Sequence, residues 1–372
     1  MQKFNKNLFP TDYASIVDKI NKIHPEQYAK SSNFLNGHVT YLSPYISRGV
    51  ISVKQVRDAV LKNGFSSFQS EKLIQELAWR EYFQRVWQAK KELIWKDLKQ
   101  AQPDVQHHKM PTALLEAFTG IQVIDEQIQH LYDGGYAHNH IRMYLAAIAC
   151  NIGKAHWEQP AKWMYYHLLD GDMASNNCSW QWVAGAFSSK KYYCNQENIN
   201  KYTHTNQLDT FMDTSYEEII DMQVPNTLIA TSNLQLTTKL PITELPKIDV
   251  TKPTLIYNSY NLDPKWRKNE NVNRVLLLES SHFANYPVSE NVLNFIIALS
   301  KNIQNIQIVV GEMDAIKALY EEKGMAIREA IISKEHPLFE HYPGIKDQRE
   351  WLFPGVTGYF PSFSSFWKKC QR

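Results

Sequence analysis

The chain has 372 residues, 44% of them hydrophobic and 21% charged, with a formal net charge of +2. That length suffices for two or three domains and a sizeable core, and the balance is that of an ordinary globular protein rather than a fibrous or disordered one. The small net charge excludes a uniformly basic nucleic-acid binder, so any DNA contact needs a local basic patch.

Residues 11–23 set Tyr13, Ile16, Val17, Ile20 and Ile23 on one helical stripe, opened by Thr11 or Asp12 as a cap. Residues 24–37 read as a polar loop that holds Tyr28. Ser43-Pro44 is a helix start, with serine as N-cap and proline as first helical residue, and Ser52 before VKQVRDAVLKNG is a second, stopped at Gly64. Residues 70–95 read as one long helix, on which Glu76, Trp79, Arg80 and Phe83 fall at i, i+3, i+4 and i+7 and share a face. Residues 100–134 are polar, then helical. Gly135–Cys150 reads as a helix opening after Gly134-Gly135, with Asn139, Arg142, Met143 and Ala146 on one face.

The richest stretch is Asp170–Gly185, DGDMASNNCSWQWVAG. Asp170, Asp172, Asn176 and Asn177 offer donors and acceptors suited to the polar edge of a flat heterocycle. Trp180 and Trp182 offer π-faces, and the small residues between them let backbone come close to a ligand. Taken singly, each feature has a plain structural reading: capping serines and aspartates, an i,i+4 Glu–Arg pair beside a core tryptophan, a buried indole at Trp157.

Four blocks occur in order: TYLSPYISRGVIS from Thr40, ELAWREYF from Glu76, GYAHNHIRMYLAA from Gly135, and DGDMASNNCSWQWVAG. In this combination the chain resembles the flavin-binding core of the DNA photolyase and cryptochrome family. The resemblance implies FAD as cofactor. It implies that Thr40, Leu42 and Ser43 lie along the cofactor's phosphates and ribose, with Val39-Thr40 where the family has Thr-Ser, and that Tyr28 is a further cofactor-binding residue. Arg80, Arg142, Asp170, Asp172 and Asn176 would contact the flavin, Arg142 pairing with Asp170 and Asn176 lying beside N5. Glu76, Trp79, Asn139, Met143 and Trp182 would hold a flipped-out pyrimidine dimer. Trp180 and Trp157 would relay electrons. The family's outer relay tryptophan has no counterpart, since no tryptophan lies between Trp95 and Trp157; Trp163, Tyr165 and Tyr166 are the nearby aromatics. His140 stands where the family has arginine, and KKYYCNQENINKY replaces the family's PYFRIFNP after Gly185.

Residues 206–253 mix Thr, Asn, Asp, Leu and Pro with little periodicity and read as a linker with one helix at Tyr216–Met222. In 254–372, TLIYNSY, RVLLLES and IQIVVG suit buried strands, and SENVLNFIIALSKN and EMDAIKALYEEKG suit helices. The expected fold is thus α+β multidomain: an all-α FAD-binding domain of photolyase type at 1–205, a linker at 206–253, and a small α/β, parallel-sheet domain at 254–372. The last domain's role stays open between an antenna holding a second chromophore and a structural or partner-docking module. The tail around WLFPGVTGYFPSFSSFW is too aromatic to be disordered and should pack on something, the flavin domain being one candidate.

The implied activity is light-driven splitting of cyclobutane pyrimidine dimers by electron transfer from reduced FAD, a photolyase-like lyase reaction on damaged, including single-stranded, DNA. A cryptochrome-like sensor that binds FAD without repair is the alternative, and a light-independent FAD or nucleic-acid-binding module is a third. Arg80, Lys54, Lys190 and Lys191 are candidates for phosphate contact. Cys150, Cys178, Cys194 and Cys370 show no CxxC spacing, so no metal site is expected. With neither a signal-type start nor an apolar run long enough to cross a bilayer, the expected setting is a cytoplasmic monomer without a membrane partner.

Overall fold

A computed structural model describes residues 8–371. The start of the expected first domain, part of the stretch read for a signal segment, lies outside the described residues, as does residue 372. Most helix starts in the first half are written in their own sequence. Asp12 accepts the Ser15 N–H at 2.8 Å and opens Tyr13–Asn21. Ser52 with Gln55 and Ser66 with Gln69 form capping boxes at the heads of Val53–Lys62 and Ser67–Lys90, each contributing about 1 kcal/mol.

Four local expectations need correction. Residues 24–37 are not all loop: Pro25–Ser31 is a helix, because a proline in the first turn forfeits no hydrogen bond and presets the backbone. Ser43 does not cap its helix; Leu42 occupies that position and Ser43 is the first helical residue of Ser43–Ser47. The long helix ends at Lys90, and Lys91–Trp95 is a tight 3₁₀ turn whose first residue, Lys91, has a positive φ of 47°. Gly135 closes Gln122–Gly134 with φ 68°, so the next helix opens only at Asn139, where the His138 ring accepts the His140 N–H at 3.2 Å.

The Ser67–Lys90 helix packs on Pro25–Ser31 and on Met173–Ala184, and the latter packs on Asn139–Ala146 and Glu158–His167. Residues 206–253 add the short helices Tyr216–Ile220 and Asn226–Ile229, and Thr231–Ser232 pairs antiparallel with Met110–Pro111.

The C-terminal part is a five-stranded parallel sheet: β1 (Thr254–Tyr257), β2 (Asn273–Leu278), β3 (Gln307–Val310), β4 (Ile331–Lys334) and β5 (Ile345–Asp347), in the order β3-β2-β1-β4-β5. Ile256 stands opposite Val275 on one side and Ser333 on the other. All four β1 residues are buried, as a central parallel strand requires. The helices Glu290–Ser300 and Met313–Glu321 belong to this part.

The two parts share one core, in which Leu77 and Tyr82 join Leu255 and Phe366. Arg48, 0% exposed, pins them together: Nε donates to Leu169 O at 2.9 Å, Nη2 to Leu168 O at 3.3 Å and Nη1 to Ser259 O at 3.5 Å. It thereby fixes the loop that presents Asp170 and Asp172. Gly49 beside it has φ 64°, and a Cβ there would stand 2.3 Å from Tyr260 O, so only glycine allows this approach. The aromatic tail packs on the Ser67–Lys90 helix. Glu81 accepts the backbone N–H groups of Leu352 and Phe353, and Trp351 lies under the guanidinium of Arg85 at 3.7 Å and that of Arg349 at 4.6 Å.

Candidate functional site

Three helices and two loops of the first half enclose a cleft of about 480 Å³, within the range of small-molecule and cofactor sites. One wall is the face of Ser67–Lys90 that carries Glu76, Trp79, Arg80 and Phe83. A second is the Asn139–Ala146 face with Asn139, Arg142, Met143 and Ala146. Met173–Ala184 supplies Ser175, Asn176, Ser179, Trp180, Trp182 and Val183, and the loop before Ser43 supplies Thr40 and Tyr41.

The acidic residues are held by cations. Arg142 Nη2 donates to both oxygens of Asp170, at 3.0 and 2.8 Å, while its Nε donates to Ala137 O at 2.8 Å. Asp172 caps the Met173–Ala184 helix through the Ser175 N–H at 2.8 Å. It also accepts from Gln84 Nε2 at 2.6 Å and Arg80 Nη2 at 3.1 Å, and Arg80 Nη1 reaches Ser47 Oγ at 3.2 Å. Both carboxylates are thus neutralised before a ligand arrives, as buried charges must be. Asn176 commits Nδ2 to Ala161 O at 3.0 Å, so Oδ1 is the atom it offers a ligand.

Burial shapes the titrating groups. It drives the phenols of Tyr28 and Tyr136 well above their usual value, with Glu76 adding to the effect at Tyr28. It pushes His138 down to about 4, helped by nearby His140 and Arg142. The imidazole is therefore neutral at pH 7, its Nε2 on Ser32 O at 3.0 Å.

Of the residues nominated from sequence, Tyr28, Thr40, Ser43, Glu76, Trp79, Arg80, Asn139, Arg142, Met143, Asp170, Asp172, Asn176, Trp180 and Trp182 all line this cleft. Leu42 is not on the lining: its side chain is 1% exposed in the core, so it can contribute only backbone. Trp157 is 0% exposed and off the lining. Glu76 carries a 2.6 Å bond from Lys72, Asn139 Nδ2 lies 3.8 Å from Met143 Sδ, and Trp182 stands at the surface, 40% exposed. Lys54 is tied to Asp58 and Lys191 to Asp104, which commits two of the proposed phosphate contacts. Trp163 donates to Tyr132 OH and Tyr165 shares a hydrogen bond with Tyr260 OH, so both are buried structural partners.

Sequence reasoning missed Tyr41, Tyr136, His138, Ser175 and Ser179 on the lining. For the serines a signal existed, because Asp172, Ser175, Asn176, Ser179, Trp180 and Val183 follow one another at helical three-and-four spacing.

These residues suit a flavin nucleotide. Apolar and aromatic surfaces (Met164, Leu168, Trp180, Val183) share the lining with guanidinium and hydroxyl groups, and Ser175 Oγ is buried without a hydrogen-bond partner among the described residues. Such an orphaned hydroxyl is what a polar ligand would satisfy. Among the described residues no group of three or more His, Cys, Asp or Glu is disposed to hold a metal, and no helix is long and apolar enough to cross a membrane.

The deoxyribodipyrimidine photo-lyase of Synechococcus is 31% identical over 154 residues, spanning 39% of this chain and 32% of that protein. That of Buchnera aphidicola from Acyrthosiphon pisum is 25% identical over 197 residues, spanning 49% and 40%. The chain therefore matches about a third to two fifths of the length of these relatives. Among solved structures, the Synechocystis cryptochrome aligns over 54% of this chain and 44% of its own, with 20% identity and a TM-score of 0.48. Residues 73–217, which carry most of the cleft's lining, match the family model described as the FAD binding domain of DNA photolyase, and over that stretch the chain is similar to this family.

Proposed function

We propose that this protein binds FAD in the cleft and uses light to split pyrimidine dimers in DNA by electron transfer from reduced FAD. The observation that supports this reading is one of placement. The residues suited to a flavin (Arg142, Asp170, Asp172, Asn176) and those suited to a flipped-out pyrimidine dimer (Glu76, Trp79, Asn139, Met143, Trp182) share one cleft. A reader of undamaged DNA has no use for both. The curated relatives named above are photo-lyases, which fits the same reading.

When bound, FAD supplies the light absorption and the one-electron chemistry. The chain does the rest. Arg142 and Asp170 hold each other at the polar edge of the flavin site, and Arg80 brings a fixed positive charge. Trp79 and Trp182 offer stacking surfaces to a flipped-out dimer, paid for by less unstacking cost than an intact pair demands. Glu76 and Asn139 offer hydrogen bonds to its edge. Trp180, 2% exposed on the lining, and Trp157, buried in the same apolar core, carry electrons inward. Residues 254–372 form the sheet-bearing part, packed into one core with this unit, and 206–253 make the connection.

A sensor reading draws on a different observation: the helix bearing Glu76 and Trp79 is packed directly by the aromatic tail, which gives the cleft a mechanical link to the sheet. The two readings part in one experiment. FAD-loaded protein is reduced and illuminated with dimer-containing single-stranded and duplex oligonucleotides. Loss of dimers is the expected result. Intact photoreduction with no loss of dimers selects the sensor, and protein that takes up no FAD removes both readings.

A further inference from the structure

Trp157 is fully enclosed, yet its indole N–H is aimed at a charge: Nε1 donates to Asp97 Oδ1 at 2.7 Å. His156 Nε2 lies 3.3 Å from the same oxygen. Asp97 Oδ2 accepts the backbone N–H of Gln102 at 2.8 Å, and Gln102 Oε1 in turn accepts the backbone N–H of Trp157 at 2.8 Å. The side chains of Asp97 and His156 are 22% and 14% exposed. The carboxylate thus joins a sealed indole to water. A neutral acceptor suffices for a structural tryptophan, as Tyr132 OH does for the Trp163 N–H; the Trp266 N–H also meets a carboxylate, Asp347, but that carboxylate is held by the Arg267 guanidinium.

We propose that Asp97 is the proton acceptor for Trp157 during light-driven reduction of FAD, an assignment that rests on the relay role given to Trp157 above. The oxidant is light-excited oxidised FAD, which takes one electron from Trp180; Trp180 is refilled by one electron from Trp157. The Trp157 indole is left one electron short, as a radical cation, in which the N–H is far more acidic than in the neutral ring. The Nε1–H bond breaks with its electron pair staying on nitrogen, and the proton forms an O–H bond on Asp97 Oδ1. The sum is one electron gained by FAD, a neutral indole radical at Trp157 and a neutral carboxyl at Asp97. An added thiol reductant later returns one electron to Trp157, and Asp97 returns the proton.

This transfer does the work that an outer tryptophan would do. A cation stranded in the interior is costly and is pulled back to its electron. A neutral radical is not, and its return waits on the proton. The chain has no tryptophan between Trp95 and Trp157 to pass the oxidation outward. Moving the proton outward through Asp97 separates the charges in its place.

The test uses the full FAD-loaded chain, flashed with blue light without added reductant and followed by transient visible and infrared absorption. In the wild type a neutral tryptophan radical should form together with a carboxylic-acid C=O band, and heavy water should slow both. Asp97→Asn keeps an oxygen acceptor for the indole but cannot store the proton. It should show a radical cation and lose the band, with a return of the electron faster by roughly tenfold, equal to about 1.4 kcal/mol on the barrier. A neutral radical of unchanged lifetime in Asp97→Asn, or a wild type with the radical and no carboxyl band, overturns the proposal alone. A wild type with no tryptophan radical at all removes the relay reading and the proposal with it. The infrared band is read on the wild type, so the test survives a variant that fails to fold.

Discussion

The ring of Phe363 lies on the indole of Trp79, centroids 3.7 Å apart and planes 11° from parallel. Trp79 lines the cleft and Phe363 does not, so the stack backs the indole from the side turned away from the cleft. The last helix, Phe363–Cys370, therefore sets the orientation of a residue proposed to hold the substrate, nearly three hundred positions away in sequence. Phe363→Leu keeps most of the buried volume and removes the stack, worth about 0.5–1.5 kcal/mol beyond its area. The expected outcome is unchanged FAD content and weaker binding of a dimer-containing oligonucleotide, by up to about tenfold. Equal affinity in a gel or fluorescence titration would show that Trp79 needs no backing.

Glu76 is about a third exposed and, among the described residues, its ion pair is with Lys72 one turn earlier, an arrangement worth about 0.3–0.5 kcal/mol. Its removal should therefore leave folding and FAD intact. A charge-assisted hydrogen bond to the dimer is worth about 1.5–3 kcal/mol. Glu76→Ala should thus lose roughly ten- to hundredfold in repair under limiting light, at an unaltered flavin spectrum. Repair at the wild-type rate would remove Glu76 from the assigned role.

Asp170 is different in kind. Its side chain is 4% exposed and its two oxygens are both taken by Arg142. Asp170→Asn leaves the guanidinium facing a neutral amide inside the cleft, and breaking a buried pair this way costs on the order of 3–5 kcal/mol. Part of that cost falls on folding and part on the cofactor. Purified protein should be nearly colourless and should need a large excess of FAD for reconstitution. Full flavin occupancy after ordinary purification would contradict the role of the pair.

The sequence made the first half legible because its signals are local. Capping boxes, a shared helical face at Glu76–Phe83 and the Asp170–Gly185 string lie within a few turns, and the nominated residues on them line one cleft. The failures lie where the cause is distant. Leu42 is in the core because neighbouring helices cover it, which no local spacing reveals. β4 (IISK) and β5 (IKD) are too short to register as strands until β1 pairs with them. Nothing local marks Arg48, and only the folded chain gives it three carbonyls from two distant segments. The Trp79–Phe363 stack and the Trp157–Asp97 bond join positions whose nearness depends on tertiary packing.

Trp180 is 2% exposed and borders the cleft, so it is enclosed at the point where an electron would enter the flavin site. Trp180→Phe preserves an aromatic ring of nearly the same volume but one much harder to oxidise. The variant should bind FAD with a normal spectrum and fail to photoreduce under blue light with thiol present. If chemically reduced FAD is supplied, repair should persist, which separates the relay from the substrate site. Normal photoreduction would move the relay elsewhere.

His138 sets a pH dependence whose sign can be worked out. Burial holds its folded pKa at about 4 against an ordinary 6.5. Between these values the unfolded chain takes up a proton that the folded chain refuses. Stability from this group is therefore complete above pH 6.5 and is lost progressively as pH falls towards 4, by on the order of 3 kcal/mol. His138→Gln keeps a side-chain N–H for Ser32 O and has no proton to take up. Urea midpoints at pH 7, 6 and 5 should fall more gently for the variant than for the wild type. Some slope should remain, because burial also lowers His167 to about 4 and His282 to about 3. Parallel decline of the two proteins would mean that His138 already carries its proton in the native state, and that the imidazole at the mouth of Asn139–Ala146 is far better hydrated than its enclosure implies.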